Sequence, residues 1–147
     1  MHISWLGSTA LRIQTKPADT EVTIIIDAYR PEAGNFPRSL TPQIALFTRG
    51  TDGAITLSGD PFTLATAGEI DSKGVLITAV QGNSVNQTLI RLDLENMSLG
   101  HLGLIAEPLA NGQLEALSEV DILCIPIGGK AVGAYDAETA VKIVNTI

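Results

Sequence analysis

The run Val22-Thr23-Ile24-Ile25-Ile26-Asp27 limits most tightly what this chain can fold into. Its first five residues are all β-branched, and such side chains are stiff about χ1 and favour a pleated backbone. The apolar character is continuous, not alternating, so the run suits a strand buried on both faces. A strand of that kind needs covering layers on either side. With 147 residues, 45% hydrophobic and 17% charged, the chain can supply them within a single domain, 1–147.

Other segments read as shorter strands. Ile3 and Trp5 alternate with Ser4, and Leu11 and Ile13 alternate with Arg12 and Gln14, with Gly7-Ser8 supplying a turn between them. Ile44–Phe47, Ala54–Leu57, Phe62–Leu64 and Val75–Val80 follow, punctuated by Gly59-Asp60-Pro61, Ala67-Gly68 and Lys73-Gly74. A breaker-rich loop runs from Tyr29 to Pro42. In Thr88–Glu95 the residues Ile90, Leu92 and Leu94 face one way and Arg91, Asp93 and Glu95 the other, as in a half-buried antiparallel strand. Met97–Leu102 is its expected hairpin partner.

The last third changes character. A short helix is expected over Gln113–Leu117, an apolar strand over Val120–Ile127, and a helix from Asp136, which suits an N-cap. Strands first and helices late point to two packed sheets with helices outside, not to a doubly wound parallel sheet.

Charge and composition narrow the function. Nine basic against sixteen acidic residues give a net charge of −7, which argues against nucleic acid or an anionic membrane as partner. Aromatic residues make up 4%, too few for base-stacking platforms. Cys124 is the lone cysteine, so no intrachain disulfide and no Cys-type zinc site is expected. No apolar run is long enough to span a membrane, and Met1–Trp5 lacks the basic start of a signal peptide. The expected setting is a soluble, bacterial-type cytoplasm. Gly128-Gly129-Lys130 follows a strand but lacks the upstream Gly and downstream Ser/Thr of a phosphate loop.

Few residues remain for chemistry. Of two histidines, His2 reads as solvent-facing, whereas His101 lies between Gly100 and Gly103 where the backbone can bend at a site rim. Asp27 ends the β-branched run, and Asp52 lies in the loop after Ile44–Phe47.

The residue order then becomes specific. His2-Ile3-Ser4-Trp5-Leu6-Gly7 with Thr23–Asp27, His101-Leu102-Gly103, and Val120-Asp121-Ile122-Leu123-Cys124-Ile125-Pro126-Ile127-Gly128-Gly129 resemble the metallo-β-lactamase superfamily, in particular its small, lactonase-like branch of metal-dependent hydrolases. The resemblance covers essentially the whole chain and implies an αββα sandwich of mixed, mostly antiparallel sheets. It also implies a metal site built on Ser/Thr-His-x-His-x-Asp-His.

This sequence departs from that motif. Thr48-Arg49-Gly50-Thr51-Asp52-Gly53-Ala54 occupies its place, with Arg49 and Thr51 where the first two histidines belong. Gln81 stands at a later histidine position, and Leu104 replaces the carboxylate of His-Leu-Gly-Asp. A final strand of the family pattern would lie beyond Ile147, so a truncated domain is expected, with a free sheet edge open to a homo-oligomer or a partner chain.

Zinc in this class needs several imidazoles and a carboxylate converging at about 2.0–2.2 Å. Arg49 is a permanent cation and would repel a divalent ion. The expectation is therefore a metal-free, catalytically degenerate member that acts as a scaffold or small-ligand module. Asp27, Thr48, Arg49, Thr51, Asp52, Gln81 and His101 are its candidate pocket residues, for a small anionic or polar ligand. Two alternatives stand beside it. One is a hydrolase of small lactones or phosphoesters holding zinc or manganese on Asp27, Asp52 and His101. The other is an oligomerising interaction module.

Overall fold

The computed structural model describes residues 1–31, 36–37, 39–105, 107–128 and 133–147. The first sheet comprises β1 (His2–Gly7), β2 (Ala10–Thr15), β3 (Val22–Ile26), β4 (Ile44–Leu46) and β5 (Phe62–Leu64), side by side in chain order. Its first two pairings are antiparallel; β3 with β4 and β4 with β5 are parallel. The second sheet contains β6 (Gly68–Ser72), β7 (Val75–Gln81), β8 (Thr88–Leu94), β9 (Met97–His101) and β10 (Ile122–Cys124), in the order β10-β9-β8-β7-β6. All its pairings are antiparallel except β9 with β10. Helices α1 (Asn111–Ala116) and α2 (Ala137–Val144) come late.

The two sheets pack face to face. Ile13, Ile24, Ile26, Ile44 and Leu46 of the first meet Ile77, Ile90, Leu92 and Leu99 of the second in one buried core. Each such side chain, fully buried, contributes roughly 1.5–3 kcal/mol. The β-branched run behaves as its composition requires: Ile24 and Ile26 point into this core, while Ile25 points outward and is also fully buried. The alternation of β8 holds as well, with Ile90, Leu92 and Leu94 inward. On its outer face Arg91 pairs with Asp93 at 3.0 Å and donates to the carbonyls of Ala116 and Ser118 at the end of α1. A cation there complements the helix terminus.

The outer faces are covered differently. Over the second sheet, Ala140 and Ile143 of α2, with Leu117 and Tyr135, pack on Leu89 and Leu102. Over the first sheet, irregular chain does the covering: Tyr29, Phe36, Leu40, Ile55 and Leu57 lie on Ile25, Ala45 and Phe47. This corrects one expectation. Ala54–Leu57 is not a strand; Ala54 makes one isolated bridge to Tyr29, and Ile55 N–H donates to Ala28 O at 2.8 Å. Its apolar residues cover the sheet instead of extending it.

Other boundaries shift for physical reasons. β6 has no apolar signature because it is an exposed edge carrying Glu69 and Asp71, charges that protect such an edge from foreign pairing. The strand expected over Val120–Ile127 shrinks to Ile122–Cys124, because the Asp121 carboxylate accepts from Ser98 N–H at 2.7 Å and Pro126 brings no donor. Asp136 caps α2 as expected, accepting from Thr139 N–H at 2.7 Å. The Tyr29–Pro42 loop and the Gly128-Gly129-Lys130 segment are described in part; residues 32–35, 38 and 129–132 lie outside the described residues. Among the described residues no helix is long and apolar enough to cross a membrane.

Candidate functional site

The site forms where β3 and β4 end against the start of β8 and the end of β9. Parallel pairing of β3 with β4 brings Asp27 and Thr48 together just beyond the last paired residues, Ile26 and Leu46. Asp27 is 1% exposed and has a left-handed φ of 56°, which Asp tolerates better than most residues. Its Oδ1 accepts from Thr48 N–H at 2.7 Å, and Thr48 Oγ1 lies 2.9 and 2.7 Å from its two carboxylate oxygens. A buried carboxylate is tolerated only when satisfied in this way. Thr48 O in turn accepts from Thr88 N–H at 2.8 Å, which fastens the first sheet to the second.

His101 is buried at the end of β9. Its Nδ1 accepts from Gly103 N–H at 3.1 Å, so Nε2 carries the proton and donates to Thr9 O at 2.9 Å. Both ring nitrogens are therefore engaged. Gly103 has φ 62°, and a Cβ there would fall 2.5 Å from Thr48 Oγ1; only glycine fits. Asp27, Thr48, Gly103, His101 and Thr9 of the β1–β2 turn thus form one buried floor.

The rim is built from Tyr29 and the Thr48–Gly53 loop. Arg49 lies with its guanidinium carbon 4.3 Å from the Tyr29 ring centroid, a cation–π contact. The Tyr29 hydroxyl accepts from Arg49 N–H at 2.8 Å and donates to Gly50 O at 2.8 Å. Phe47 supports the ring edge-on, with centroids 5.6 Å apart. Burial, aided by the nearby Asp27 charge, pushes the Tyr29 phenol up to about 12. It is a neutral hydrogen-bonding group, not a base or nucleophile at neutral pH. Arg49, Thr51 and Asp52 are exposed.

The structure brings Asp27, Thr48 and Arg49 together and joins His101 to them through Gly103. Gln81 pairs in register with Thr88, next to the Thr48 floor, and its Nε2 donates to the carbonyls of Ser84 and Gln87, closing the β7–β8 loop. Cys124 pairs in register with His101, and burial pushes its thiol up, away from nucleophilic chemistry. Sequence reasoning passed over Tyr29. The signal was present in an aromatic residue two positions after the strand-ending Asp27.

A zinc centre does not fit these residues. The Asp27 oxygens face Thr48, the His101 nitrogens are both used, and among the described residues no three His, Cys, Asp or Glu side chains converge as a metal site would need. Two recesses, of about 400 and 370 Å³, lie at the other end of the sandwich, around Gln43 and Lys73 and around Glu95 and Asp121.

A family model described as a beta-lactamase superfamily domain matches residues 2–147. The chain belongs to the beta-lactamase superfamily. Among solved structures, it is similar to a candidate Zn-dependent hydrolase of the metallo-beta-lactamase superfamily from Thermotoga maritima, with TM-score 0.78 and 20% identity, covering 98% of this chain and 69% of that one. It is also similar to a candidate metal-dependent hydrolase from Parabacteroides distasonis ATCC 8503, with TM-score 0.65 and 14% identity, covering 98% and 76%. These likenesses establish the superfamily fold. A search of curated proteins found no match. At the strand end, where the resemblance implies histidines, this chain carries Thr48, Arg49 and Thr51.

Proposed function

We propose that this chain is a metal-free superfamily member whose strand-end site binds a small anionic or polar ligand without hydrolysing it. One observation carries the reading: the Arg49 guanidinium, stacked on Tyr29, stands beside the Asp27–Thr48 floor where the resemblance calls for metal-binding histidines. A fixed cation with hydroxyl neighbours can attract an anion. Without a metal, water keeps its high pKa and no hydroxide nucleophile forms near neutrality. His101 is no substitute base, because Nδ1 already accepts a backbone N–H.

Metal analysis of protein grown with added zinc and manganese tests the first half of the reading. Less than a tenth of an ion per chain is the expected result. One or two ions per chain would overturn it and put the lactone or phosphoester hydrolase first. The second half is tested by titrating inorganic phosphate and following backbone amide NMR shifts. Saturable shifts confined to Thr48–Gly53 are expected, and they should be lost in Arg49→Ala.

A further inference from the structure

Arg49 lies between Thr48 and Gly50 in the rim loop, and both of these neighbours are met from the second sheet. Thr88 N–H donates to Thr48 O at 2.8 Å. The Asn86 side chain lies against Gly50: a Cβ built on that glycine would fall 3.3 Å from Asn86 Cβ and 4.0 Å from its Nδ2. Gln87 is the residue between those two partners, and its side chain is fully engaged within the protein. Its Oε1 accepts from the N–H groups of Asn83 and Ser84 at 3.0 and 3.1 Å. Its Nε2 donates at 2.8 Å to the carbonyl of Leu104, the neighbour of Gly103. It also lies close over Gly82, where a Cβ would fall 2.7 Å from Gln87 Cγ. From the other side, Tyr29 holds Arg49 N–H and Gly50 O through its hydroxyl.

We propose that Gln87 is a positioning residue for the Arg49 site, setting the rim loop through Asn86 and Thr88 and not by touching the ligand. The inference rests on the anion-binding reading above and names the group that holds its rim in place. A carboxamide suits the task, because one side chain offers an acceptor to two N–H groups and a donor to a carbonyl. A carboxylate at the same place would have no proton for Leu104 O. The loop from Gly82 to Gln87 carries no charged residue, so it braces the rim without bringing a carboxylate to compete with an anion for Arg49. Binding and loop closure are then linked. An anion that needs the rim set binds the closed loop better, and by reciprocity it holds that loop closed in return.

The test titrates inorganic phosphate, followed by amide NMR, into the parent chain and into Gln87→Met. Methionine keeps the bulk over Gly82 and removes the bonds to Asn83, Ser84 and Leu104. The phosphate Kd should rise roughly tenfold, and the Gly50 and Thr51 amides should move before any ligand is added. Ser98→Ala is the control, because its hydroxyl bonds to Asp121 at the other end of the sandwich. Its melting temperature should fall while its phosphate Kd stays at the parent value. If Gln87→Met binds phosphate as the parent does, the positioning role is overturned and the anion site stands. An equal loss of binding in Ser98→Ala also overturns it, by making general destabilisation the cause. If the parent itself binds no phosphate, the anion reading fails first and the positioning role fails with it. Hydrogen exchange on the parent chain needs no variant. With phosphate at about ten times its Kd, exchange of the Asn83 and Ser84 amides should slow by about fivefold or more, and unchanged exchange would overturn the linkage.

Discussion

The floor and the rim of the strand-end site are adjacent but built on opposite principles. On the floor, Asp27, Thr48 and His101 are buried and every polar atom named there has a partner within the chain. On the rim, Arg49, Thr51 and Asp52 are exposed, and Arg49 is held chiefly by a ring face. A floor whose polar groups are already bonded to one another positions and stabilises the strand ends. Under the proposed anion binding, recognition falls to the rim, where the Arg49 guanidinium and the Thr51 side chain are exposed.

The sharpest way to break this contrast is to remove the floor. Asp27→Ala orphans the Thr48 N–H and hydroxyl and places alanine at a left-handed φ, so a loss of about 3–4 kcal/mol is expected in urea unfolding. Asp27→Asn keeps an acceptor and tolerates the backbone, so its loss should be about 1 kcal/mol. Equal losses would show that the backbone, not the Thr48 contacts, sets the cost.

His101→Leu comes next. It leaves Thr9 O and Gly103 N–H without partners, and about 2–3 kcal/mol should be lost. Melting that matches the parent chain would mean the turn is not anchored by His101.

The ring that joins floor to rim predicts an alkaline limit. The folded Tyr29 phenol is raised to about 12 from its ordinary 10, so the fold favours the neutral form. Its contribution is complete below pH 10 and lost as pH climbs through 12. Tyr135, raised to about 12 mainly by burial, should behave alike. Tyrosinate absorbance of the native chain should therefore stay flat near pH 10, both tyrosines ionising later. A full titration step at pH 10 would remove this link.

The smallest stability effect belongs to the rim. Arg49→Ala removes one exposed cation–π contact, and about 0.5–1 kcal/mol is expected. Its loss of phosphate binding should be complete by comparison. A large unfolding effect would make Arg49 part of the floor and weaken the division drawn above.

Much of the architecture was written locally. The β-branched run of β3 suited a doubly buried strand and forms one, and the period-2 pattern of β8 marked its inner face. Asp136 announced its helix by a side chain that caps its own neighbours. β6 was illegible because edge protection replaces apolar residues with charge, which erases the periodic signal. Ala54–Leu57 misled because apolar residues covering a sheet look like apolar residues within one.

The candidate site divides along the same line. The identities at Arg49, Thr51 and Leu104 were enough to indicate that a histidine-rich metal motif is not present at those positions, because ligand chemistry depends on residue type alone. What occupies the place depended on tertiary structure. Parallel pairing of β3 and β4 placed Thr48 on Asp27, packing of one sheet on the other brought Thr9 to His101, and the fold of the covering loop laid Tyr29 beneath Arg49. Each contact joins residues 20 or more positions apart, such as Arg49 and Tyr29 at a separation of 20, Asp27 and Thr48 at 21, and Thr9 and His101 at 92. Local propensity carries no information at those separations; strand pairing, sheet packing and the path of the covering loop decide them.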